Sequence, residues 1–156
     1  MRVYADSTFL LRLLLTEPDS EGAVACYRRL GKPCLFFLPL HMLEVRNAIF
    51  QRAFHQRHSA SSLERRWANR ERDAALGRLQ HLITQRTLLQ VSGDMDAVID
   101  RAGKLSSAHG ERLGPRAIDL LHVAAALILK SELFLTTDAR QQQLAKAEHL
   151  KVASVG

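Results

Sequence analysis

The chain has 156 residues, of which 47% are hydrophobic and 24% are charged. This size and composition suit one globular domain with a single core, and they exclude a disordered tail, a collagen-like fibre and a multidomain enzyme. The formal net charge of +6 favours a polyanionic partner, although many basic proteins carry only a solvated basic surface.

Cysteine usage and hydropathy exclude further classes. Cys26 and Cys34 are too few for a disulfide scaffold, and neither lies in a motif with zinc-ligand spacing. The longest nearly apolar stretch, residues 117–129, is shorter than the roughly 20 residues that a membrane-spanning helix needs. The apolar run 9–15 is interrupted by Arg12 and has no small-residue cleavage site after it, so it is not a signal peptide. We therefore expect a soluble, cytoplasmic protein.

Short strand-like runs alternate with longer helical patterns along the chain. The predicted strands are residues 2–5, 34–37, 87–91, 133–136 and 152–154. The predicted helices are residues 10–15, 39–54, 61–85, 95–109, 117–129 and 140–148. Pro39 suits the first position of a helix, and Ser61 with Glu64 has the spacing of a capping box.

The alternation of β and α elements predicts an α/β fold. The predicted strands are apolar without polar alternation, as strands buried on both faces are. We therefore expect a single domain over residues 1–156, with three α/β/α layers, a central parallel sheet and an additional basic helical hairpin. Ligands of such sheets bind outside the carboxyl ends of the strands, so the residues at that edge are the functional candidates.

Four acidic residues lie at or near this edge. Asp6 directly follows the first strand, and Asp138 directly follows the fourth. Glu44 lies about one and a half turns into the helix after the second strand, so it reaches the same edge. Asp119 lies in the first turn of the helix before the fourth strand, and its position depends on how the crossover to that helix runs.

Each of the first three acids has an alternative interpretation. Asp6 and Asp138 are equally compatible with the role of helix N-caps, which is what an aspartate after a strand most often does. Glu44 is compatible with a solvated helix position, although its neighbours in the helix are largely apolar.

Asp119 is the one anion in the apolar helix 117–129. Burying an unpaired carboxylate costs several kcal/mol, so Asp119 requires a cation nearby. His122, one turn later, is compatible with that cation, with a residue that supports the site, and with a satisfied core histidine. We favour the last two roles.

Carboxylates that converge at one edge repel each other unless a cation lies between them. Hard cations such as Mg²⁺ or Mn²⁺ prefer oxygen ligands, and they activate water and stabilise charge in phosphodiester hydrolysis. Outside the four acids the chain carries a net charge of +10, which suits a polyanion. An acidic notch in a basic surface is what a metal-dependent nuclease requires.

Four short motifs carry a resemblance to a known family. They are Val-Tyr-Ala-Asp-Ser-Thr at 3–8, Leu-Glu-Val-Arg-Asn-Ala at 43–48, Arg-Ala-Ile-Asp-Leu-Leu-His-Val-Ala-Ala-Ala-Leu at 116–127, and Phe-Leu-Thr-Thr-Asp-Ala-Arg-Gln at 134–141. In this order and spacing they resemble the PIN domain, and they are most similar to the VapC-like ribonuclease toxins of bacterial type II toxin–antitoxin pairs. The resemblance covers essentially the whole chain.

The resemblance implies a PIN-like fold and a Mg²⁺- or Mn²⁺-dependent endonuclease that acts on RNA. Carried over by position, Asp6 and Asp119 are the first candidates for direct metal ligands, and Glu44 and Asp138 complete the site directly or through waters. The polar positions that match supporting residues are Ser7, Asn47 and Thr136. The implied partners are an RNA substrate, a cognate antitoxin protein and a second copy of the chain in a homodimer.

The segment 51–81 is more basic than the resemblance leads us to expect, with seven arginines against three acids and a net charge of +4. In the family the region after Glu44 often forms a dimer or antitoxin surface. The candidate RNA-binding residues here are Arg65, Arg66, Arg70 and Arg72. Trp67 would then stack on a base. The alternative is a solvated helical hairpin with Trp67 packed on the core.

Other classes fit the residues less well. A phosphohydrolase of the haloacid-dehalogenase type needs a second aspartate at the position of Thr8, and a receiver-like phosphoacceptor needs an acidic pair where Ala5-Asp6 supplies one acid. A non-catalytic RNA-binding or interaction module has no need to hold four acids together. A PIN nuclease that acts in RNA maturation stays open as an alternative to a toxin.

Overall fold

The computed structural model describes residues 1–153 and residue 155, in which a parallel sheet lies between layers of helices. Its strands are β1 (Val3–Ala5), β2 (Leu35–Phe37), β3 (Leu88–Gln90) and β4 (Leu133–Leu135), in the order β3-β2-β1-β4. The pairings β1–β2, β1–β4 and β2–β3 are all parallel. The predicted three-layer α/β/α fold with a central parallel sheet is therefore confirmed.

The helices of the described residues surround this sheet. They are α1 (Ser7–Leu14), α2 (Ser20–Arg29), α3 (Pro39–Arg57), α4 (Ser62–Thr84), α5 (Met95–Leu113), α6 (Ala117–Ile128) and α7 (Ala139–Ala147). None of these helices is both long enough and apolar enough to cross a membrane.

Alternate strand residues supply the two cores. Val3 and Ala5 on β1 pack into the cluster shared with α1 to α4, whereas Tyr4 between them packs into the cluster shared with α5 to α7. On β4, Leu135 packs into the first of these clusters and Phe134 packs into the second. Because both faces of the sheet are covered, the strands show continuous apolar runs rather than polar alternation.

Helix α2 was not predicted. Its buried residues are Ser20, Ala23 and Cys26, whose side chains are too small to produce a strong apolar periodicity. Helix α5 continues past its predicted end at residue 109, because the chain reaches the left-handed conformation that ends the helix only at Gly114, with φ of 59°.

The last predicted strand, 152–154, is represented by a single parallel bridge between Val152 and Phe134. Ser154 lies outside the described residues. The chain therefore returns beside β4 after α7.

Helices α3 and α4 form the predicted basic hairpin. Pro39 occupies the first turn of α3, and the Ser61 side chain caps α4 by accepting a hydrogen bond from the Glu64 backbone N–H. The Ser61 N–H donates to Ser59 Oγ. Across the hairpin, Arg57 Nε donates to Asn69 Oδ1 at 3.2 Å.

The order of the strands creates a switch point between β1 and β4. The chain leaves β1 through α1 and moves toward β2, but it leaves β4 through α7, which packs on the opposite face with α5 and α6. At such a point the connections diverge and leave a crevice at the carboxyl ends of the strands. Asp6 and Asp138 follow the two strands that border it.

His41 is fully buried beside this edge and joins two elements. Its Nδ1 accepts a hydrogen bond from the Leu38 N–H at 3.0 Å, so Nε2 carries the proton and donates to the Ala5 carbonyl at 2.9 Å. Burial, followed by the charge of the neighbouring His122, lowers the pKa of His41 to about 3. The imidazole is therefore neutral in the folded chain.

We predict that His41 makes stability fall as the pH decreases below about 6.5. The unfolded chain binds a proton near pH 6.5, whereas folded His41 stays neutral down to about 3. The unfolded state therefore gains up to about 1.4 kcal/mol for each pH unit in this window. Urea unfolding between pH 7 and 5 should show a steeper loss of stability for the wild type than for His41→Asn.

The matched control is His149→Asn, which changes an exposed histidine with φ of 60°, a conformation that asparagine accepts. It should keep the wild-type slope of stability against pH. An equal slope for His41→Asn and the wild type would contradict the assignment to His41.

Candidate acidic site at the carboxyl edge of the sheet

Asp6 is fully buried directly after β1 and is surrounded by donors. Its Oδ1 accepts from the Phe9 N–H at 2.8 Å, which caps α1, and its Oδ2 accepts from Thr136 Oγ1 at 2.6 Å. The Thr8 hydroxyl lies within 2.9 Å of both oxygens. Asp6 is thus an N-cap and a member of the acidic group at the same time.

Asp138 occupies the equivalent place after β4. Its Oδ1 accepts from the backbone N–H groups of Arg140 and Gln141, which caps α7. Its own N–H donates to Thr136 Oγ1 at 2.9 Å. Because Thr136 also donates to Asp6, one hydroxyl links the two aspartates across the crevice.

Asp119 is fully buried in the first turn of α6 and is paired with Arg116. Arg116 donates to it from its backbone N–H and its Nε, at 2.9 and 3.1 Å from Oδ2, and from Nη2 at 3.0 Å from Oδ1. The same Nη2 lies 3.0 Å from Asp138 Oδ2. The guanidinium therefore bridges Asp119 and Asp138, and the cation that Asp119 requires is Arg116 rather than His122.

Glu44 lies on α3 and is held from two sides. Its Oε2 accepts from Ser7 Oγ at 2.7 Å and from His122 Nε2 at 2.6 Å. His122 is buried, and its Nδ1 lies 2.8 Å from the Tyr4 hydroxyl. Because a carboxylate oxygen can only accept, His122 Nε2 carries the hydrogen that Glu44 accepts. His122 is thus satisfied in the core, and it also holds Glu44, one of the four candidate acids.

The structure therefore brings the four predicted acids to one edge. Thr136 and Arg116 connect Asp6, Asp138 and Asp119 through hydrogen bonds, and Ser7, next to Asp6, connects to Glu44. Ser7 and Thr136 thus contact the acids directly.

Asn47 is placed differently. It lies on the exposed side of α3 and lines an open groove with Leu43 and Phe50. In residues 1–153 and 155, no hydrogen bond joins Asn47 to one of the four acids.

Sequence reasoning missed Arg116, Gln141 and Tyr4. Arg116 stands three residues before Asp119, a spacing that places a basic and an acidic side chain together at a helix start, so this signal was available. The contacts of Gln141 with Asp119 and of Tyr4 with His122 join residues from different elements, and no local pattern marks them.

Burial controls the electrostatics of the site. It raises the pKa of Asp6, although the charge of His122 and the hydrogen bonds from Thr136, Phe9 and Thr8 act in the opposite direction. Burial also raises the pKa of the Tyr4 hydroxyl, which stays protonated.

The pKa of Arg116 is also raised, but for a different reason, because a carboxylate stabilises its charge. Its hydrogen bonds and charge interaction with Asp119 raise the pKa of the guanidinium, with a smaller contribution from Asp138. The guanidinium is therefore a permanent cation in the crevice.

The donor chemistry of the site fits a hard divalent cation, but the described side chains are not arranged as a set of metal ligands. The acids offer oxygen ligands, and the buried Gln141 Oε1 has no hydrogen-bond partner in the described part of the chain. Among residues 1–153 and 155, however, no group of three or more His, Cys, Asp or Glu side chains is positioned to hold a metal ion. The Arg116 guanidinium pairs instead with Asp119 and Asp138.

The four candidate arginines lie on α4, away from the acids. The part of α3 between Glu44 and Arg57 is about 20 Å long at the rise of an α-helix, and α4 contacts the distal end of this segment. Among the arginines, Arg65 donates to backbone carbonyls at the turn and Arg72 pairs with Asp73.

Arg66 and Arg70 are exposed, and Arg70 lies over the Trp67 ring at 4.8 Å. Trp67 is itself exposed, so the alternative in which it packs on the core is wrong.

Comparison with known proteins identifies the fold. A family model of the PIN domain matches residues 3–147. The crystal structure of FitAcB from Neisseria gonorrhoeae is similar, with a TM-score of 0.63 and 16% sequence identity over 98% of this chain and 97% of that chain. At this identity the likeness shows a shared fold. A search of curated protein sequences gave no match.

We predict that Thr136→Val destabilises the chain by about 1–3 kcal/mol, because the buried Asp6 carboxylate loses its 2.6 Å donor and the Asp138 N–H loses its acceptor. Valine has nearly the shape of threonine, so the loss of stability reports the hydroxyl. Urea unfolding at pH 7 measures it. Thr137→Val is the control, because its hydroxyl contacts Thr8 rather than Asp6. Equal effects of the two substitutions would contradict the role of Thr136.

Proposed function

Because the chain belongs to the PIN-domain family, whose members are generally nucleases, we propose that it is a metal-dependent endoribonuclease that hydrolyses RNA phosphodiester bonds. We further propose that it is a VapC-like toxin of a type II toxin–antitoxin pair, and with RNA as its substrate we place it in the cytoplasm. The main support is that the four acids lie at the switch point of the sheet, where Thr136 and Arg116 link Asp6, Asp138 and Asp119, and Ser7, next to Asp6, donates to Glu44.

We propose Mg²⁺ or Mn²⁺ as the cofactor. Asp6 and Asp119 are the proposed direct ligands, with Glu44 and Asp138 completing the site directly or through waters. When bound, the cation would supply Lewis-acid stabilisation of negative charge on the phosphate and favour deprotonation of the attacking water. The support is the oxygen-only donor set.

The side chains of the chain itself orient the reacting groups. The Thr136 and Phe9 donors fix the two oxygens of Asp6. Ser7 and His122 hold Oε2 of Glu44, whose side chain is 26% exposed, so Oε1 is the atom that we assign to accept a proton from the attacking water. Tyr4 in turn fixes the orientation of the His122 ring.

We propose that RNA also contacts the hairpin of α3 and α4. Arg66 and Arg70 are exposed on α4, and Trp67 offers an exposed ring for base stacking. The Arg65 side chain donates to a backbone carbonyl and Arg72 pairs with Asp73. These two arginines therefore contribute positive charge rather than free hydrogen-bond donors. RNA that reached both this surface and the acids would extend over about 20 Å.

An antitoxin and a second copy of the chain are the proposed protein partners. The exposed side of α3 carries Leu43, Phe50 and Phe54, large apolar side chains that a partner would cover. The groove of about 410 Å³ at Pro39, Leu43 and Phe50 begins near Glu44, so an antitoxin segment bound there would reach the acidic site.

A PIN nuclease of RNA maturation and a non-catalytic RNA-binding module are the alternatives. A small antitoxin gene directly upstream would support the toxin over the maturation enzyme. Metal-dependent cleavage by the purified chain would exclude the non-catalytic module.

We predict that Asp119→Asn lowers cleavage of a labelled structured RNA by at least about 100-fold, because a proposed metal ligand loses its charge. The rate is measured with Mn²⁺ or Mg²⁺, and EDTA should abolish it in the wild type. Asp96→Asn, which changes an exposed acid in the first turn of α5, should cleave at the wild-type rate. Cleavage by Asp119→Asn at the wild-type rate, with its fold intact by circular dichroism, would refute the assignment.

We predict that the double variant Arg66→Ala/Arg70→Ala binds RNA more weakly in the cleavage-deficient Asp119→Asn background. For each phosphate that the variant no longer binds, the slope of log affinity against log salt should decrease by about 0.7. The control pair Lys104→Ala/Arg112→Ala removes the same charge from exposed positions on α5, in the other helical layer. Equal weakening by both pairs would show a general charge effect and count against an RNA site on α4.

A further inference from the structure

The hydrogen-bonding capacity of Asp119 is used completely in this structure. A carboxylate offers about four acceptor positions. Oδ2 accepts from the backbone N–H and Nε of Arg116, and Oδ1 accepts from Arg116 Nη2 and from Gln141 Nε2 at 3.3 Å. The Arg116 side chain therefore occupies two positions on Asp119, and its Nη2 occupies a further position on Asp138.

Within the described residues, Asp119 and Asp138 are the only hydrogen-bond partners of the Arg116 guanidinium. The Arg116 side chain is 55% exposed. Arg116 is the N-cap residue of α6, so it stands at the start of the helix rather than within it. Its side chain can therefore turn into solvent without disturbing the core, whereas Asp119 is fully buried and fixed in α6. The mobile member of the pair is the cation.

We infer that Arg116 is an internal competitor of the divalent cation, because its guanidinium and the metal ion need the same oxygens of Asp119 and Asp138. The inference rests on the proposed function for its metal ion. In the metal-free chain Arg116 neutralises the two carboxylates and stabilises the edge of the sheet. Metal binding displaces the guanidinium, so Arg116 sets the metal concentration at which the site is occupied.

Gln141 supports this exchange. Its buried side chain donates to Asp119 from Nε2, while Oε1 has no partner within the described residues. An amide oxygen is an acceptable ligand for a hard cation, either directly or through a water. When the Arg116 guanidinium leaves, a metal ion would have available the freed acceptor positions on Asp119 and Asp138 and, in addition, Gln141 Oε1.

The test is Mn²⁺ binding by isothermal titration calorimetry to the full-length chain, without RNA. Because the metal ion no longer has to displace the guanidinium from Asp119 and Asp138, Arg116→Ala should bind Mn²⁺ at least about tenfold more tightly than the wild type. In EDTA this variant should melt at a lower temperature than the wild type, and Mn²⁺ should raise its melting temperature by more.

Arg140→Ala is the matched control, because it removes the same charge beside Asp138 while only the backbone of residue 140 bonds to that acid. Its Mn²⁺ affinity should stay within about threefold of the wild type, since exposed charges are screened.

Equal Mn²⁺ affinities for the wild type and Arg116→Ala would overturn the competition, as would equal increases in affinity for Arg116→Ala and Arg140→Ala. Either result would leave a metal-dependent nuclease intact. Absence of Mn²⁺ binding in all three proteins would overturn both the competition and the proposed metal site.

Discussion

The edge of the sheet that carries the acidic group depends on the neutralisation of buried carboxylates. Asp6 and Asp119 have no solvent exposure, and a buried carboxylate without donors costs several kcal/mol. Thr136 donates to Asp6 and Gln141 donates to Asp119, each from another element, whereas Arg116 donates to Asp119 from three residues away. Asp6 therefore depends on the position of β4 beside β1, and Asp119 depends on the start of α6 and its contact with α7.

Capping and site formation use the same side chains. Asp6 and Asp138 each cap the helix that follows a strand, and each also joins the acidic group through Thr136. A carboxylate at a helix N-terminus is stabilised by the unpaired N–H groups and by the helix dipole. The two interpretations of these residues are therefore not alternatives, because the capping bonds hold the carboxylates at the crevice.

The acidic and the basic residues lie in different parts of the structure. The acids and Arg116 form a group at the sheet edge, whereas Arg66 and Arg70 are exposed on α4, beside the end of α3 that lies about 20 Å from Glu44. This arrangement explains why a net charge of +6 coexists with a cluster of acids. The Arg116 guanidinium bridges two of the acids and so offsets their mutual repulsion.

The sequence by itself determined the fold class, every strand of the sheet to within two residues, and the place of Asp6 and Asp138 at the sheet edge, because burial on both faces and the position after a parallel strand are local signals. The place of Asp119 depended on the crossover to α6. It did not determine α2, whose buried side chains are too small to produce a periodic pattern. The tertiary structure alone decided that His122 supports Glu44 and Tyr4, 78 and 118 residues away, and that Arg116 bridges Asp119 to Asp138. These contacts depend on how helices from separate crossovers meet at one edge of the sheet. The periodicity within one segment carries no information about which residues of another segment it will contact.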